Sequence, residues 1–395
     1  MNYILFDDET RLSLLPFTFT RPAAEIRIGI LTIREKWEHV LGQSMSFFTQ
    51  EHLGEKYKLK KENDNILING SVLPDKSLVE EIKSLGPGEM ISCGESLVAW
   101  RISGEELNSI HSLHNASVAG SKKNIAARKL NFCWDIFTMN EQALSDDFQF
   151  LTKGKKSQPL SSTNRVINPE NIFLEEGAKV ECAILNASSG PIYIGRNAEV
   201  MEGTMIRGPF SLGEKAQLKL GAKIYGATTI GPHCKVGGEV SNSVIFGYSN
   251  KAHDGFLGNS VIGEWCNLGA DSNNSNLKNN YSQVKMWNYK EENFINTGLN
   301  FCGLMMGDHS KCSINTMFNT GTMVGVSANI FGTGFPPKYI PSFSWGGSDG
   351  FKTYRLDEAV EVASRVYERR GMDLDEGEQK ILKYLFDATT KFRSW

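Results

Sequence analysis

A period of six residues in the second half of the chain constrains its fold more than any other feature. From Ile194 an aliphatic residue recurs at every sixth position, and glycine often follows it directly. These positions are Ile194, Val200, Ile206, Leu212, Leu218, Ile224, Ile230 and Val236. A helix repeats every 3.6 residues and a long strand every 2.0, so neither produces this spacing. It is typical of a hexapeptide β-helix, in which each hexapeptide forms one short strand and one turn.

The period continues beyond Val236 with interruptions. After a phase shift of two, the predicted inward positions become Val244, Phe256, Ile262 and Leu268, and a third run extends from Met306 to Ile330. The segment of about 270–304 breaks the period. We expect an extruded loop there, and long loops of this kind tend to be functional.

The glycine content supports the same fold. The chain has 38 glycines in 395 residues, and 26 of them lie between Gly177 and Gly350. Glycine and asparagine suit turn positions with positive φ, so the corners of a β-helix account for the excess. The alternative of a many-stranded β-sandwich predicts turns every 8–12 residues and strands of period two. The rigid six-residue spacing favours the β-helix.

Composition excludes several classes of protein. Lys and Arg number 42 and Asp and Glu 45, for a net charge of −3, which argues against a nucleic-acid partner held by bulk positive charge. No apolar run is long enough for a membrane span, and the acidic residues 7–9 do not fit a signal peptide. The seven cysteines are too far apart for CxxC motifs, so we expect reduced thiols and a cytoplasmic location.

The remaining segments complete a prediction of three parts. Residues 1–160 alternate between short apolar runs and helical patterns, which indicates an α/β domain. Residues 161–349 form the predicted left-handed parallel β-helix, with its loop at about 270–304. Residues 350–395 show two runs of helical spacing and are expected to form a helical cap, because the end of a solenoid needs covering.

The beginning of the chain resembles the sugar-1-phosphate nucleotidyltransferases. The matching segments are Thr10-Arg11-Leu12, Leu15-Pro16-Phe17-Thr18, Arg21-Pro22, Asn69-Gly70 with Pro74-Asp75, and Trp134-Asp135. The resemblance implies an NTP such as UTP and a sugar-1-phosphate as substrates, bound by Arg11, Arg21 and Asn69. It also implies Mg²⁺, for which the candidate ligands are Asp7, Asp8, Asp75 and Asp135.

The same segment departs from the family where phosphate binding is expected. Asp7, Asp8 and Glu9 occupy the place of the family's glycine-rich turn, and Ala23 stands where a lysine follows proline. Backbone N–H groups of such a turn cradle a triphosphate, whereas carboxylates repel it unless a cation intervenes. An active nucleotidyltransferase and a relic domain with an altered ligand therefore both stay open.

The β-helix region resembles the hexapeptide acyltransferases, and in particular the acetyltransferase half of the bifunctional enzymes that make UDP-N-acetylglucosamine. His253 is followed by Phe256, Asn267 and Asn276 at offsets of 3, 14 and 23. The resemblance implies that His253 is the general base for an attacking sugar amine, with Asn267 and Asn276 orienting the amine and the thioester of acetyl-CoA. It makes Phe256 and Lys285 substrate-binding residues. The family's usual tyrosine is replaced by Phe256, and its sugar-phosphate lysine has no match near 241–243.

Together the two resemblances imply a divergent bifunctional UDP-N-acetylglucosamine pyrophosphorylase and glucosamine-1-phosphate N-acetyltransferase. Acyltransferases of this kind usually form homotrimers. One alternative is a glucose-1-phosphate nucleotidylyltransferase using dTTP or UTP, with a β-helix that does not acetylate. Another is a non-catalytic scaffold that binds a nucleotide sugar.

Overall fold

A mixed β-sheet organises the first part of the chain. The computed structural model describes residues 1–110, 113 and 123–395. These divide into one unit of Met1–Ile26 with Leu31–Phe132, and a second of Arg27–Ile30 with Cys133–Trp395. Within the described part of the first unit, six strands pair in the order β2-β1-β3-β5-β4-β6. They are β1 (Asn2–Phe6), β2 (Ser46–Phe48), β3 (Asp64–Asn69), β4 (Met90–Cys93), β5 (Ser96–Ser103) and β6 (Lys123–Asn124).

Short helices connect these strands. They are α1 (Thr10–Ser13), α2 (Ile33–Leu41), α3 (Lys76–Lys83) and α4 (Gly104–Ser109), with 3-10 turns at Phe17–Phe19, Ala23–Glu25 and Glu51–Leu53. Helix α2 begins with a capping box of Thr32 and Glu35 and ends at Gly42, whose φ of 73° suits glycine. The predicted α/β character of this region is confirmed.

The pairing of β1, β3 and β5 brings three strand ends to one edge of the sheet. Strand β1 runs parallel to β3 and pairs Phe6 with Asn69, whereas β5 runs antiparallel to β3 and pairs Ala99 with Ile68. The residues that follow β1 and β3 therefore meet those that begin β5. Ligand sites in α/β sheets commonly form at the carboxyl ends of parallel strands.

The second unit contains the predicted parallel β-helix, built from three sheets that we call faces A, B and C. Face A consists of Arg165–Ile167, Ile184–Asn186, Met205–Arg207, Lys223–Tyr225, Glu239–Ser241 and Phe256–Gly258. Face B consists of Ile172–Leu174, Ile192–Ile194, Phe210–Leu212, Thr228–Ile230, Val244–Ile245, Val261–Ile262, Leu304–Met306, Thr322–Val324 and Tyr339–Ile340. Face C consists of Lys179–Val180, Glu199–Val200, Gln217–Leu218, Lys235–Val236, Asn250–Lys251, Asn267–Leu268, Lys311–Cys312, Asn329–Ile330, Ser344–Gly347 and Gly350–Thr353.

The six-residue period corresponds to the interior of this β-helix. On face B, Ile194 pairs with Leu212 and Leu212 with Ile230, so residues one coil apart stack on each other. All eight aliphatic residues of the first run belong to one buried core. Corner positions carry positive φ, for example Asn197 at 55° and Gly177 at 75°. The expectation that glycine and asparagine serve the corners is thus met there.

The phase predicted after Val236 is wrong by one residue on two faces. The register pairs Ile230 with Ile245 and Val240 with Leu257, so Ile245 and Leu257 point inward rather than Val244 and Phe256. Val236 pairs with Lys251, which places a lysine in the interior series. The cause is a tight corner at Gly237-Gly238, where Gly238 has a φ of 71°. This corner shortens the coil by two residues, and the next corner shortens it by one more.

Helices and a hairpin complete the second unit. Helices α5 (Asp135–Thr138) and α6 (Asn140–Thr152) precede the β-helix, and α7 (Leu356–Glu368) and α8 (Glu376–Ala388) follow it. The predicted helical cap at the C-terminal end is therefore confirmed. Within the period break, Asn273–Asn274 pairs with Met317–Phe318, and Lys285–Asn288 forms an antiparallel hairpin with Asn293–Asn296. Among the described residues, no helix is both long and apolar enough to span a membrane.

Candidate functional site

The first candidate site is a polar cluster at the sheet edge of the first unit. Asn69 is buried, and its Nδ2 donates hydrogen bonds to Oδ2 of Asp8 at 2.8 Å and to the carbonyl of Leu97 at 3.0 Å. Its Oδ1 accepts from the backbone N–H of Ser71 at 3.0 Å. Asn69 thus joins the ends of β1 and β3 to the start of β5.

Lys129 places a positive charge at the centre of this cluster. Its Nζ donates to Oδ2 of Asp8 at 2.8 Å, to Oγ1 of Thr10 at 2.7 Å and to Oγ of Ser96 at 3.1 Å. The ion pair is nearly buried, since the side chains of Lys129 and Asp8 are 7% and 15% exposed. Burial alone would raise the pKa of the Asp8 carboxyl, but Lys129 and the hydrogen bonds from Asn69 and Thr10 hold it below its ordinary value.

Asp7 lies beside this cluster but has different partners. It is buried, and its carboxylate accepts from the N–H of Ala23 at 2.9 Å and from Oγ1 of Thr49 at 2.5 Å. Burial raises the pKa of the Asp7 carboxyl, although the charge of Arg11 and these two hydrogen bonds oppose the shift. Asp7 therefore ties the turn after β1 to the segments that hold Ala23 and Thr49.

The predicted substrate-binding arginines are both buried. Nη2 of Arg11 donates to the carbonyl of Thr18 at 2.9 Å, and Oγ1 of Thr18 donates back to the carbonyl of Arg11 at 2.6 Å. Arg21 is 5% exposed. Together these contacts fix the loop that follows β1, and a phosphate contact by Arg11 or Arg21 stays a prediction.

The four predicted magnesium ligands do not gather into one cluster. Asp75 caps α3 by accepting from the N–H of Leu78 at 2.9 Å, and Asp135 begins α5 in the second unit. Over the described ranges, no group of three or more His, Cys, Asp or Glu side chains is arranged to hold a metal. Asp7 and Asp8 already accept hydrogen bonds from N–H, O–H and ammonium donors, and a role for the four residues in binding magnesium stays a prediction.

Sequence reasoning missed Lys129, Thr10 and Ser96. Lys129 is 121 positions from its partner Asp8, and no local motif marks it. A short antiparallel contact positions it, because Val72 bridges Lys129 and the N–H of Leu130 bonds to the carbonyl of Ser71 at 2.9 Å. The signal that was present is electrostatic. Carboxylates in a buried turn require a nearby cation, and Lys129 is the cation that pairs with Asp8.

The second candidate site lies at a corner of the β-helix. His253 is exposed and follows the face C strand Asn250–Lys251. Its carbonyl accepts a hydrogen bond from Nζ of Lys251 at 2.7 Å, and Lys251 also donates to the carbonyl of Gly237 at 3.1 Å. Lys251 is buried, and burial lowers its pKa to about 8. The interior lysine thus fixes the backbone that presents His253.

The predicted partners of His253 occupy two faces. Asn267 is exposed on face C, where the register pairs it with Asn250 of the preceding coil. Phe256 and Asn276 meet on face A above Gly258, since a Cβ placed there would lie 2.5 Å from Cζ of Phe256 and 2.7 Å from Nδ2 of Asn276. Nδ2 of Asn276 also donates to Oδ1 of Asn259 at 2.8 Å.

Lys285 lies apart from these residues along the fold. It is exposed on the hairpin of Lys285–Asn288 and Asn293–Asn296, where it pairs with Asn296. The structure therefore brings Phe256 and Asn276 together, places His253 and Asn267 on successive coils, and leaves Lys285 on a separate element. Their catalytic and binding roles stay predictions.

A curated relative, the bifunctional sugar-1-phosphate nucleotidylyltransferase/acetyltransferase of Sulfurisphaera tokodaii, is 36% identical over 144 residues. This match covers 36% of the present chain and 35% of the relative, so only about a third of the relative's length is matched.

Two solved structures also match, at low scores. The UDP-N-acetylglucosamine acyltransferase of Arabidopsis matches with a TM-score of 0.26 and 15% identity, over 52% of this chain and 77% of that chain. The UDP-N-acetylglucosamine acyltransferase from Campylobacter jejuni has a TM-score of 0.22 and 13% identity, over 57% of this chain and 95% of that one. At these scores neither match carries an argument about the present chain.

The family comparison concerns the N-terminal region. The model of a family described as sugar nucleotidyl transferase matches residues 3–156. This range contains the polar cluster of Asp8, Asn69 and Lys129. The expected resemblance is thus confirmed for this segment, since residues 3–156 match the model of that family.

Proposed function

We propose that this protein is a bifunctional transferase that makes UDP-N-acetylglucosamine or a related nucleotide sugar. The nucleotidyl transferase match of residues 3–156 carries the first activity. The exposed His253, on a backbone fixed by the buried Lys251, supports the second activity, acetyl transfer. The curated relative's name joins the same two activities.

In the nucleotidyl transfer, a phosphate oxygen of the sugar-1-phosphate attacks the α-phosphorus of the NTP. A new P–O bond forms, the bond to the bridging oxygen breaks, and pyrophosphate leaves. The polar cluster of Asp8, Asn69 and Lys129 positions the strand ends around this reaction, and Lys129 offsets the carboxylate charge in the turn. Mg²⁺ would arrive with the triphosphate of the substrate, since magnesium is usually held by substrate phosphates together with one or two carboxylates.

In the acetyl transfer, the amine of glucosamine-1-phosphate attacks the thioester carbonyl of acetyl-CoA. The C–N bond forms, the C–S bond breaks and CoA leaves as its thiol form. His253 accepts the proton that the amine nitrogen releases, a task suited to an imidazole near neutral pH. Asn267 and Asn276 orient the reacting groups through their amides, and Phe256 and Lys285 contact the substrate.

We further propose a homotrimer in the cytoplasm, where UTP and acetyl-CoA are available. Face A supports the oligomer, because it exposes large apolar side chains in successive coils. Ile167 is 50%, Ile184 41% and Met205 43% exposed. Flat faces of this kind can pack under closed threefold symmetry.

The experiment is an assay of the full chain with two readouts. UTP, Mg²⁺ and N-acetylglucosamine-1-phosphate are expected to release pyrophosphate, and acetyl-CoA with glucosamine-1-phosphate to release CoA. If pyrophosphate is released only with glucose-1-phosphate and dTTP, and no CoA is released, the result favours the alternative with a single nucleotidylyltransferase activity. No release of either product from any tested pair, with nucleotide sugar still bound, would favour the scaffold.

A further inference from the structure

A cavity of about 480 Å³ lies between face C of the β-helix and the end of helix α7. Four cationic side chains line it: Lys235 and Lys311 from face C, and Arg369 and Arg370 from the residues that follow α7. Its lining falls wholly within residues 123–395, all of which are described, and contains no carboxylate. The cavity is therefore strongly positive.

The residues that line the cavity give these cations no acidic partner. Burial lowers the pKa of Lys235, and the positive charges of Arg370, Lys219 and Arg369 lower it further. Burial also lowers the pKa of Lys311, whose Nζ donates to the carbonyl of His309 at 2.9 Å. An anion in the cavity would relieve this repulsion, because opposite charge favours the protonated form of each lysine.

An aromatic stack docks the end of α7, which precedes the two arginines, against the β-helix. The ring of Tyr367 on α7 stacks on Trp265 with centroids 3.9 Å apart, and Trp265 stacks on Tyr248 at 4.2 Å. Two residues beyond α7, Nη2 of Arg370 donates to Oδ1 of Asn250 at 3.2 Å. The end of the helix is thus docked on face C, and the position of Arg370 is defined before any ligand binds.

The cavity is continuous with the proposed acetyl-transfer site. Ala252, which precedes His253, and Asn267 both belong to its lining. A phosphorylated ligand at this site needs positive charge beside it, and the cationic side chains of the cavity supply that charge. Arginine suits this task, since its guanidinium can donate two parallel hydrogen bonds to a phosphate.

We propose that this cavity binds the phosphate group of a phosphorylated ligand, with Arg369 and Arg370 from the C-terminal cap as its principal donors. The chemistry is that of a phosphomonoester, which glucosamine-1-phosphate and the 3′-phosphate of CoA both carry. The choice between these ligands rests on the proposed function, whereas the binding of a phosphate group does not. The C-terminal cap thereby becomes part of the binding site as well as a cover for the β-helix.

Isothermal titration of the full chain with glucosamine-1-phosphate, CoA and dephospho-CoA tests this proposal. The R369Q/R370Q variant is expected to bind a phosphomonoester ligand roughly 10- to 100-fold more weakly for each arginine lost. The matched control is R365Q, because Arg365 is exposed on the same helix and pairs with Glu361. K235Q tests face C separately and should weaken binding without altering the cap.

Each outcome decides the proposal. Weaker binding of glucosamine-1-phosphate alone identifies the sugar phosphate as the ligand. A loss confined to CoA, with dephospho-CoA unchanged, identifies the 3′-phosphate. Affinities equal to those of R365Q, or no binding by the wild type, overturn the proposal. Titration measures binding without turnover, so it separates this proposal from the proposed function. If the protein binds the ligand through both arginines but releases no CoA, only the acetyl transfer is refuted. If the protein releases CoA and the loss of both arginines leaves the affinity unchanged, only the phosphate site is refuted.

Discussion

Lys251 occupies an interior position that Val236 fills in the coil before it and Leu268 in the coil after it. A buried ammonium is costly, and here two carbonyl oxygens partly compensate that cost. The lysine spans the corner that carries His253. A single side chain therefore affects both the stability of the core and the position of His253, the proposed base.

Replacing Lys251 with Met should flatten the pH dependence of stability between pH 8 and about 10. Burial lowers the folded-state pKa of Lys251 to about 8, whereas lysine in an unfolded chain titrates near ~10.4. In this window the unfolded chain binds more protons, so the Lys251 contribution to the free energy of unfolding rises with pH, by up to ~1.4 kcal/mol per unit. Urea denaturation at several pH values measures the difference from the wild type.

The prediction concerns the difference in slope between the wild type and the Lys251 variant, because other groups also titrate in this pH range. Burial raises the pKa of the Cys234 thiol, so this group makes the free energy of unfolding fall as the pH rises. Lys223→Met is the matched control, since Lys223 is exposed on face A. Equal slopes in the wild type and the Lys251 variant would contradict the prediction.

The ion pair of Lys129 and Asp8 gives a second prediction for single side chains. Lys129→Met should destabilise the protein by roughly 3 kcal/mol, because it leaves a nearly buried carboxylate without its cation. Adding Asp8→Asn should recover part of the loss, since the unpaired charge is then gone. A double-mutant cycle by chemical denaturation measures the coupling. Additive effects would show that the pair does not stabilise the fold.

An aromatic contact joins helix α7 to the β-helix. Tyr367 lies against Trp265, which is itself part of a stack with Tyr248 and His233 along one corner of the β-helix. These three corner residues have positive φ and occupy the same place in successive coils, so their side chains stack in a ladder. Tyr367 adds the ring of α7 to this ladder.

Replacing Tyr367 with Leu should therefore loosen α7 while leaving the β-helix intact. Losing the stacking contact costs on the order of 1 kcal/mol, which corresponds to roughly fivefold faster amide exchange in α7. Hydrogen exchange with mass spectrometry resolves α7 from the strands of face C. Tyr384→Leu, at an exposed position of α8, is the control. Unchanged exchange in α7 would mean that other contacts hold the helix.

The whole molecule consists of two units with separate candidate sites. His253→Ala should abolish CoA release and leave pyrophosphate release unchanged, because His253 belongs to the second unit and the polar cluster to the first. The two coupled assays measure both in one preparation. Lys215→Ala, at an exposed corner of an earlier coil, should change neither. Persistent CoA release in the His253 variant would exclude that residue as the base.

The proposed trimer is also tested at this scale. Met205→Asp places a charge on the apolar part of face A and should shift the mass in light scattering from that of three chains to that of one. A charge at an interface costs several kcal/mol when it loses water without a partner. Lys179→Asp, at an exposed position of face C, serves as the control. A monomeric wild type would remove the trimer from the proposal.

The sequence alone determined the β-helix, because it places an aliphatic side chain at every sixth position. These side chains are all buried when each group of six residues forms one side of a coil, and they then stack from one coil to the next. The run from Ile194 to Val236 therefore predicted both the fold and the stacking of coils. The N-terminal region could also be identified from the sequence, because the motifs that resemble the nucleotidyltransferases are short and contiguous. The resemblance also assigned roles to His253, Asn267 and Asn276, and these roles stay predictions.

Only the tertiary structure decided which side chains meet across long separations. Lys129 reaches Asp8 through 121 residues of chain, and Arg370 reaches Asn250 through 120. The tight corner at Gly237-Gly238 changed the phase and placed Lys251 inside, which a count of sixes could not show. A local pattern fixes backbone geometry through sterics and periodicity. The contacts that build a charged site depend on how distant segments pack, and no single period encodes that packing.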